Sequence, residues 1–133
     1  MNCFIKHTLG ITLSLTTLIV MATPPKQLIT HNNTDVESNA FVAGTIPSHH
    51  PTKAYSESKV GWSEVRLACY GHVVNGTCPA LIKMATGPND TNPVDLGMVS
   101  MDLNTGIITP SILTANGYTM IVNGPGETTL LKN

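Results

Sequence analysis

Residues 62–84 read WSEVRLACYGHVVNGTCPALIKM, and the reading of this stretch decides the fold. Val65, Leu67 and Cys69 alternate with Glu64, Arg66 and Ala68, and Ala80, Ile82 and Met84 repeat that two-residue period on the far side of a turn signal. The stretch is therefore expected to be two strands folded back on each other. Two signals inside it conflict. Asn75-Gly76 marks a two-residue hairpin turn, which in a continuous hairpin sets Val73 opposite Cys78 and leaves Cys69 about 13 Å from its position of closest pairing. A disulfide needs Cα atoms within about 7 Å. On two strands the tight turn and the bridge exclude each other. Aligning Cys69 with Cys78 instead pairs Leu67 with Ala80, Val65 with Ile82, and Glu64 with Lys83, which keeps one face apolar and places opposite charges on the other. Pro79 must then sit at the start of its strand. The bridged register is the expectation, with Tyr70 to Thr77 looped out above a Cys69–Cys78 disulfide.

Downstream, short apolar runs alternate with turn chemistry. Residues 87–93 (GPNDTNP) are loop by composition. Val94 to Leu103 reads as a strand, and Asn104-Thr105-Gly106 suits a type I turn closed by a left-handed glycine. Pro110 ends or bends the next short strand. A short run at Ile112 and Leu113 precedes Asn116-Gly117. Residues 118–122 (YTMIV) and 127–131 (ETTLL) flank Asn123-Gly124-Pro125-Gly126, a hairpin loop. The fold class is all-β, a small antiparallel sandwich or open barrel with one disulfide.

Upstream the texture differs. Lys6 and His7 precede an apolar stretch, Leu9 to Met21, and Val20-Met21-Ala22 fits a small-residue cleavage site, so residues 1–22 are expected to be a signal peptide. The apolar stretch falls short of the roughly 20 residues a membrane span needs, so no stable span is expected after cleavage. Cleavage removes Cys3 and leaves an even pair, Cys69 and Cys78, in an oxidising compartment. It also removes Lys6, taking the formal charge from −1 to −2. Residues 23–58 hold four prolines, many Asn, Ser and Thr, and one apolar island, Ala40 to Ile46. They are expected to form a flexible polar arm, the island being either an edge strand or a sticky segment. The β-domain is expected over residues 59–133.

The signal stretch LGITLSLTTLIVMA, the polar Asn/Thr arm and the CYGHVVNGTC segment together resemble small exported proteins of Gram-negative bacteria of the Legionella type. That resemblance implies a periplasmic or secreted location and transfers no site residue or activity.

Few function classes fit the residues. Arg66 is the sole arginine among seven basic and eight acidic residues, too sparse for a nucleic-acid footprint. His31, His49 and His50 lack cysteine or carboxylate partners at ligand spacing, so no metal is expected. Asp90, Asn92 and Asp95 supply oxygen groups, but Pro93 and Val94 break the calcium-loop pattern. Met98 and Met101 point to opposite faces of a strand and cannot chelate one ion. There is no Gly-x-Ser-x-Gly elbow and no phosphate-cradling glycine loop, so no catalytic residue and no cofactor is assigned. The expected function is that of a non-enzymatic binding module for a protein or glycan partner, acting through exposed loops or a sheet edge. Tyr70, His72 and Asn75 on the hairpin tip form its candidate binding loop. The alternatives are a structural envelope protein assembling through its arm, and a small hydrolase.

Overall fold

The computed structural model describes residues 23–133; the signal peptide expected over residues 1–22 lies outside them. The chain runs β1 (Gln27–Asn32), β2 (Ser38–Val42), β3 (Ile46–Pro47), β4 (Ser56–Gly61), α1 (Trp62–Cys69), β5 (Thr77–Met84), β6 (Val94–Asp102), β7 (Ile108–Thr109), β8 (Ile112–Ala115), β9 (Tyr118–Gly124) and β10 (Glu127–Lys132). Two five-stranded sheets face each other, one in the order β4-β1-β10-β9-β8, the other β3-β2-β5-β6-β7. All pairings are antiparallel except β1 with β10. This is the expected all-β sandwich with one disulfide.

The central stretch departs from the expected hairpin. Trp62–Cys69 is a helix, and its inward residues Trp62, Val65 and Cys69 follow a helical spacing. Leu67, assigned to the inner face of a strand, is 75% exposed. The helix begins at Gly61, carries Glu64 in its first turn where the helix dipole favours negative charge, and ends as the Tyr70 N–H reaches the Leu67 carbonyl at 3.2 Å. The pairings of Leu67 with Ala80, Val65 with Ile82 and Glu64 with Lys83 therefore do not form. Lys83 instead faces Asp95 on β6 at 3.6 Å and lies over the Phe41 ring.

The helix also removes the conflict between turn and bridge. Asn75 and Gly76 both have positive φ, at 51° and 77°, and Val74 and Thr77 exchange backbone hydrogen bonds of 2.8 and 3.0 Å. That is the two-residue turn Asn-Gly predicts. Cys69 and Cys78 are nonetheless bridged, with Cα atoms 5.8 Å apart. Both hold because the chain before the turn is not a strand. A helix rises about 1.5 Å per residue against about 3.3 Å for a strand, and after Cys69 the chain doubles back at Gly71, where the His72 N–H bonds the Cys69 carbonyl.

Residues 23–58 are likewise not an arm. They supply β1, β2, β3 and the start of β4, and so contribute to both sheets. β1 occupies an interior position, between β4 and β10. The apolar island becomes β2 and β3, β3 being the sheet edge. Polar groups in this segment are ordered because they bond each other. Asn32 is buried and donates to the carbonyls of Val36 and Thr52, while its own oxygen accepts from the N–H and hydroxyl of Thr34. Such a satisfied cluster offsets its desolvation and fixes the β1–β2 connection. On the outer face His31 lies between Glu57 of β4 and Glu127 of β10, at 2.8 and 2.7 Å. Composition alone could not reveal these partners.

The C-terminal half follows its turn chemistry. Asp102 Oδ1 accepts from the N–H groups of Asn104 and Thr105, and Gly106 closes the β6–β7 turn at φ 79°. Pro110 ends β7, after which the chain crosses to β8 in the opposite sheet. Asn116 and Gly117 turn β8 into β9, both at positive φ. Met84, Leu96, Met120 and Leu130 are among the most deeply buried core side chains.

Candidate functional site

The hairpin tip is displayed as expected. Tyr70 is 82% exposed, Val73 and Val74 are exposed beside it, and His72 is half-buried. Asn75 has a structural reason to be there, since its positive φ forms the turn. Around Tyr70 the surface is a shallow depression shared with Arg66, Leu103 and Asn104. That depression measures about 520 Å³ and is wide open, with Arg66 and Asn104 on its wall.

A deeper feature lies between the sheets. A cavity of about 550 Å³ opens where β1 and β4 of one sheet face β2, β3 and β5 of the other. Strand alternation sends residues two apart into it: Leu28 and Thr30 from β1, Ser58 and Val60 from β4, Ser38, Ala40 and Val42 from β2, and Cys78, Ala80 and Ile82 from β5. Many of these side chains are small. Immediately beyond it Met84, paired with Ser38 and two residues past Ile82 on β5, is packed to zero exposure. Thr30, Ser38, Ala40, Ser58 and Ala80 leave the space that larger residues would fill. The third wall is α1, through Val65, Leu67, Ala68 and Cys69. The disulfide thus holds the helix against β5 as one side of the cavity.

The lumen is apolar in character even where hydroxyls line it. Ser38 Oγ donates to the Lys83 carbonyl, and Thr52 and Ser58 bond each other at 2.8 Å. Its ionisable lining groups, His49, His50 and Glu64, are exposed residues and therefore mark the mouth. His50 Nε2 lies 2.9 Å from Glu64 Oε2, joining the loop after β3 to the first turn of α1. That loop is itself held, because Ser48 Oγ donates to Asn39 Oδ1 and accepts from the His50 N–H. Ile46 and Leu67, both lining residues with substantial exposure, form an apolar lip. An open-mouthed, mainly apolar volume with polar groups at one end suits a ligand with an apolar body and one polar terminus.

The remaining sequence candidates are dispersed. His31 sits on the outer sheet face and His50 at the cavity mouth, each with its own carboxylate partners. Asp90 accepts from the Gly87 N–H, while Asp95 faces Lys83. Met98 is exposed and Met101 buried, on opposite faces of β6 as the strand period requires. Among the described residues no three His, Cys, Asp or Glu side chains converge on a metal position. Sequence reasoning missed the cavity. Its signal was the small residues two apart on β2 and β4, meaningful only once those segments are known to be strands with a defined inner face.

Comparison with protein families matches residues 1–133 to the family described as NttC, a type II secretion system substrate. Among solved structures the chain is similar to the crystal structure of the Legionella pneumophila type II secretion system substrate NttC. The two are 61% identical, with a TM-score of 0.79, over 82% of this chain and 99% of that one. Comparison with curated proteins gives no match.

Proposed function

Because the chain belongs to the NttC family of type II secretion system substrates, and is thus exported from the cytoplasm, we propose that it is a secreted, non-enzymatic binding module that takes its ligand into the inter-sheet cavity. The observation that carries this is the combination of volume and lining. A space of about 550 Å³ falls within the roughly 300–1,000 Å³ of small-molecule sites, whereas ordinary cores close such space by packing. Catalysis has less support. The hydroxyls of Ser38, Thr52 and Ser58 are bonded to backbone or to each other, and the sequence carries no nucleophile motif. The hairpin tip, the expected binding loop, becomes the outer end of the disulfide-held wall.

Enlarging two small inward residues tests the proposal. Ala40→Phe and Ala80→Phe each fill the lumen from the β2–β5 side. Each is expected to abolish binding of a fluorescent apolar probe such as 1-aminoanthracene, with the circular dichroism spectrum retained. Wild-type probe binding in both variants would remove the cavity from the function.

A further inference from the structure

We infer that the cavity takes a single-chain fatty acid, with its alkyl chain in the lumen and its carboxylate on His50, exchanged for Glu64. The inference rests on the proposed binding role and specifies its ligand.

The volume accommodates one long alkyl chain. At about 30 Å³ per water-sized group, a cavity of about 550 Å³ has room for roughly eighteen such groups. One chain of about sixteen carbons and its head fit that space. Lumen chemistry sets the tail: no ionisable side chain lies deeper than the mouth, so a chain gains from burial along its length, by about 0.8 kcal/mol per methylene. The exposed Ile46 and Leu67 continue that apolar surface to the lip.

The mouth sets the head group. His50 Nε2 already holds a carboxylate oxygen, that of Glu64, at 2.9 Å. The His50 N–H is held by Ser48 Oγ, itself bonded to Asn39, so the residue stays at the mouth when its partner leaves. Glu64 lies on the exposed side of α1 and loses little by turning to solvent. A ligand carboxylate reaching the lip accepts the same hydrogen bond and continues directly into the apolar lumen. Glu64 therefore acts as an internal competitor of the ligand, and removing its charge should tighten binding.

The test uses delipidated mature protein, palmitate, and hexadecanol as the uncharged probe with the same chain. Palmitate is expected to bind one-to-one by titration calorimetry and by native mass spectrometry. His50→Ala should weaken palmitate about ten-fold, the size of a lost charge-assisted hydrogen bond, and leave hexadecanol within about two-fold. Glu64→Gln should strengthen palmitate several-fold and leave hexadecanol unchanged. Both substitutions are at the exposed mouth, and thermal melting confirms that each variant is folded. If the two probes respond alike to both substitutions, the head-group assignment is overturned while an apolar cavity function survives. If neither probe binds, the proposed function fails with it. Binding to phosphatidylglycerol vesicles that outcompetes palmitate would assign the site to bilayer lipid and overturn the single-chain assignment.

Discussion

Replacing Cys69 and Cys78 together by alanine separates what the bridge does to the unfolded chain from what the sulfurs do in the fold. The bridge closes a sequence separation of nine residues. A loop of that size removes about 2.5 kcal/mol of entropy from the unfolded state in the polymer model. The cysteines are also 3% and 2% exposed, between α1 and β5, so deleting their sulfurs leaves a small void worth about 1 kcal/mol more. The expected loss is about 3–4 kcal/mol for the double variant and about 2.5 kcal/mol for reduced wild type, which keeps its sulfur volume. Urea unfolding measures both. With a slope of about 1–3 kcal/mol/M, the midpoint of the double variant should fall by about 1–3 M, and that of the reduced protein by less. The consequence should reach the cavity, because α1 has eight residues, below the roughly 12–15 at which an isolated helix persists. Without the bridge its position depends on Trp62 and Val65, and apolar-probe binding should weaken before the sheets unfold. A midpoint shift under about 0.5 M, with slope unchanged, would refute the view that the bridge supports this wall.

Other perturbations address separate contacts. Trp62→Phe removes an indole N–H that donates to the Leu103 carbonyl at 2.9 Å; Arg66 also donates to that oxygen, at 2.8 Å, so the loss should stay near 1–2 kcal/mol in denaturant unfolding followed by circular dichroism. Gly97→Ala places a Cβ 3.1 Å from Leu113 Cδ2 on a backbone at φ 148°, a conformation costing a side chain about 1–3 kcal/mol, and should lower the melting temperature by roughly 5–10 °C. The hydrogen bond and charge of Asp35 hold Lys132 above its ordinary value of 10.5. A raised folded value contributes stability that is complete below 10.5 and disappears as pH rises through the folded value. The pair is exposed, so the effect is small; Asp35→Asn should be less stable than wild type at neutral pH, and the difference should close at strongly alkaline pH in paired urea titrations.

The turns of the C-terminal half were legible because their residues carry the conformation themselves. Asn104-Thr105-Gly106, Asn116-Gly117 and the loop at residues 123–126 need particular backbone angles, and Asn and Gly adopt them with or without tertiary context. The Cys69–Cys78 bridge was legible for a similar reason, as two cysteines remain after the expected cleavage. The helix was not. Over eight residues Val65, Leu67 and Cys69 satisfy a strand period, while Trp62, Val65 and Cys69 satisfy a helical one, and only packing against β1 and β4 decides between them. The first four strands were hidden by their composition. Their inward positions carry Thr30, Ser38, Ala40 and Ser58, which read as solvated linker but border an open space. The residues that made the segment look unstructured are those that leave the cavity open.

The parallel pairing of β1 with β10 has a consequence in time. Ile29 pairs with Glu127 and Asn32 with Leu130, so the first strand of the sandwich has no inner neighbour until the last one exists. A chain emerging from its N-terminus cannot complete that sheet early, and the long loop to be closed makes the step slow. The other sheet, β3-β2-β5-β6-β7, needs no residue beyond β7 and can pair before β10 is available. The sandwich, and the cavity inside it, come into being only after the final strand has arrived.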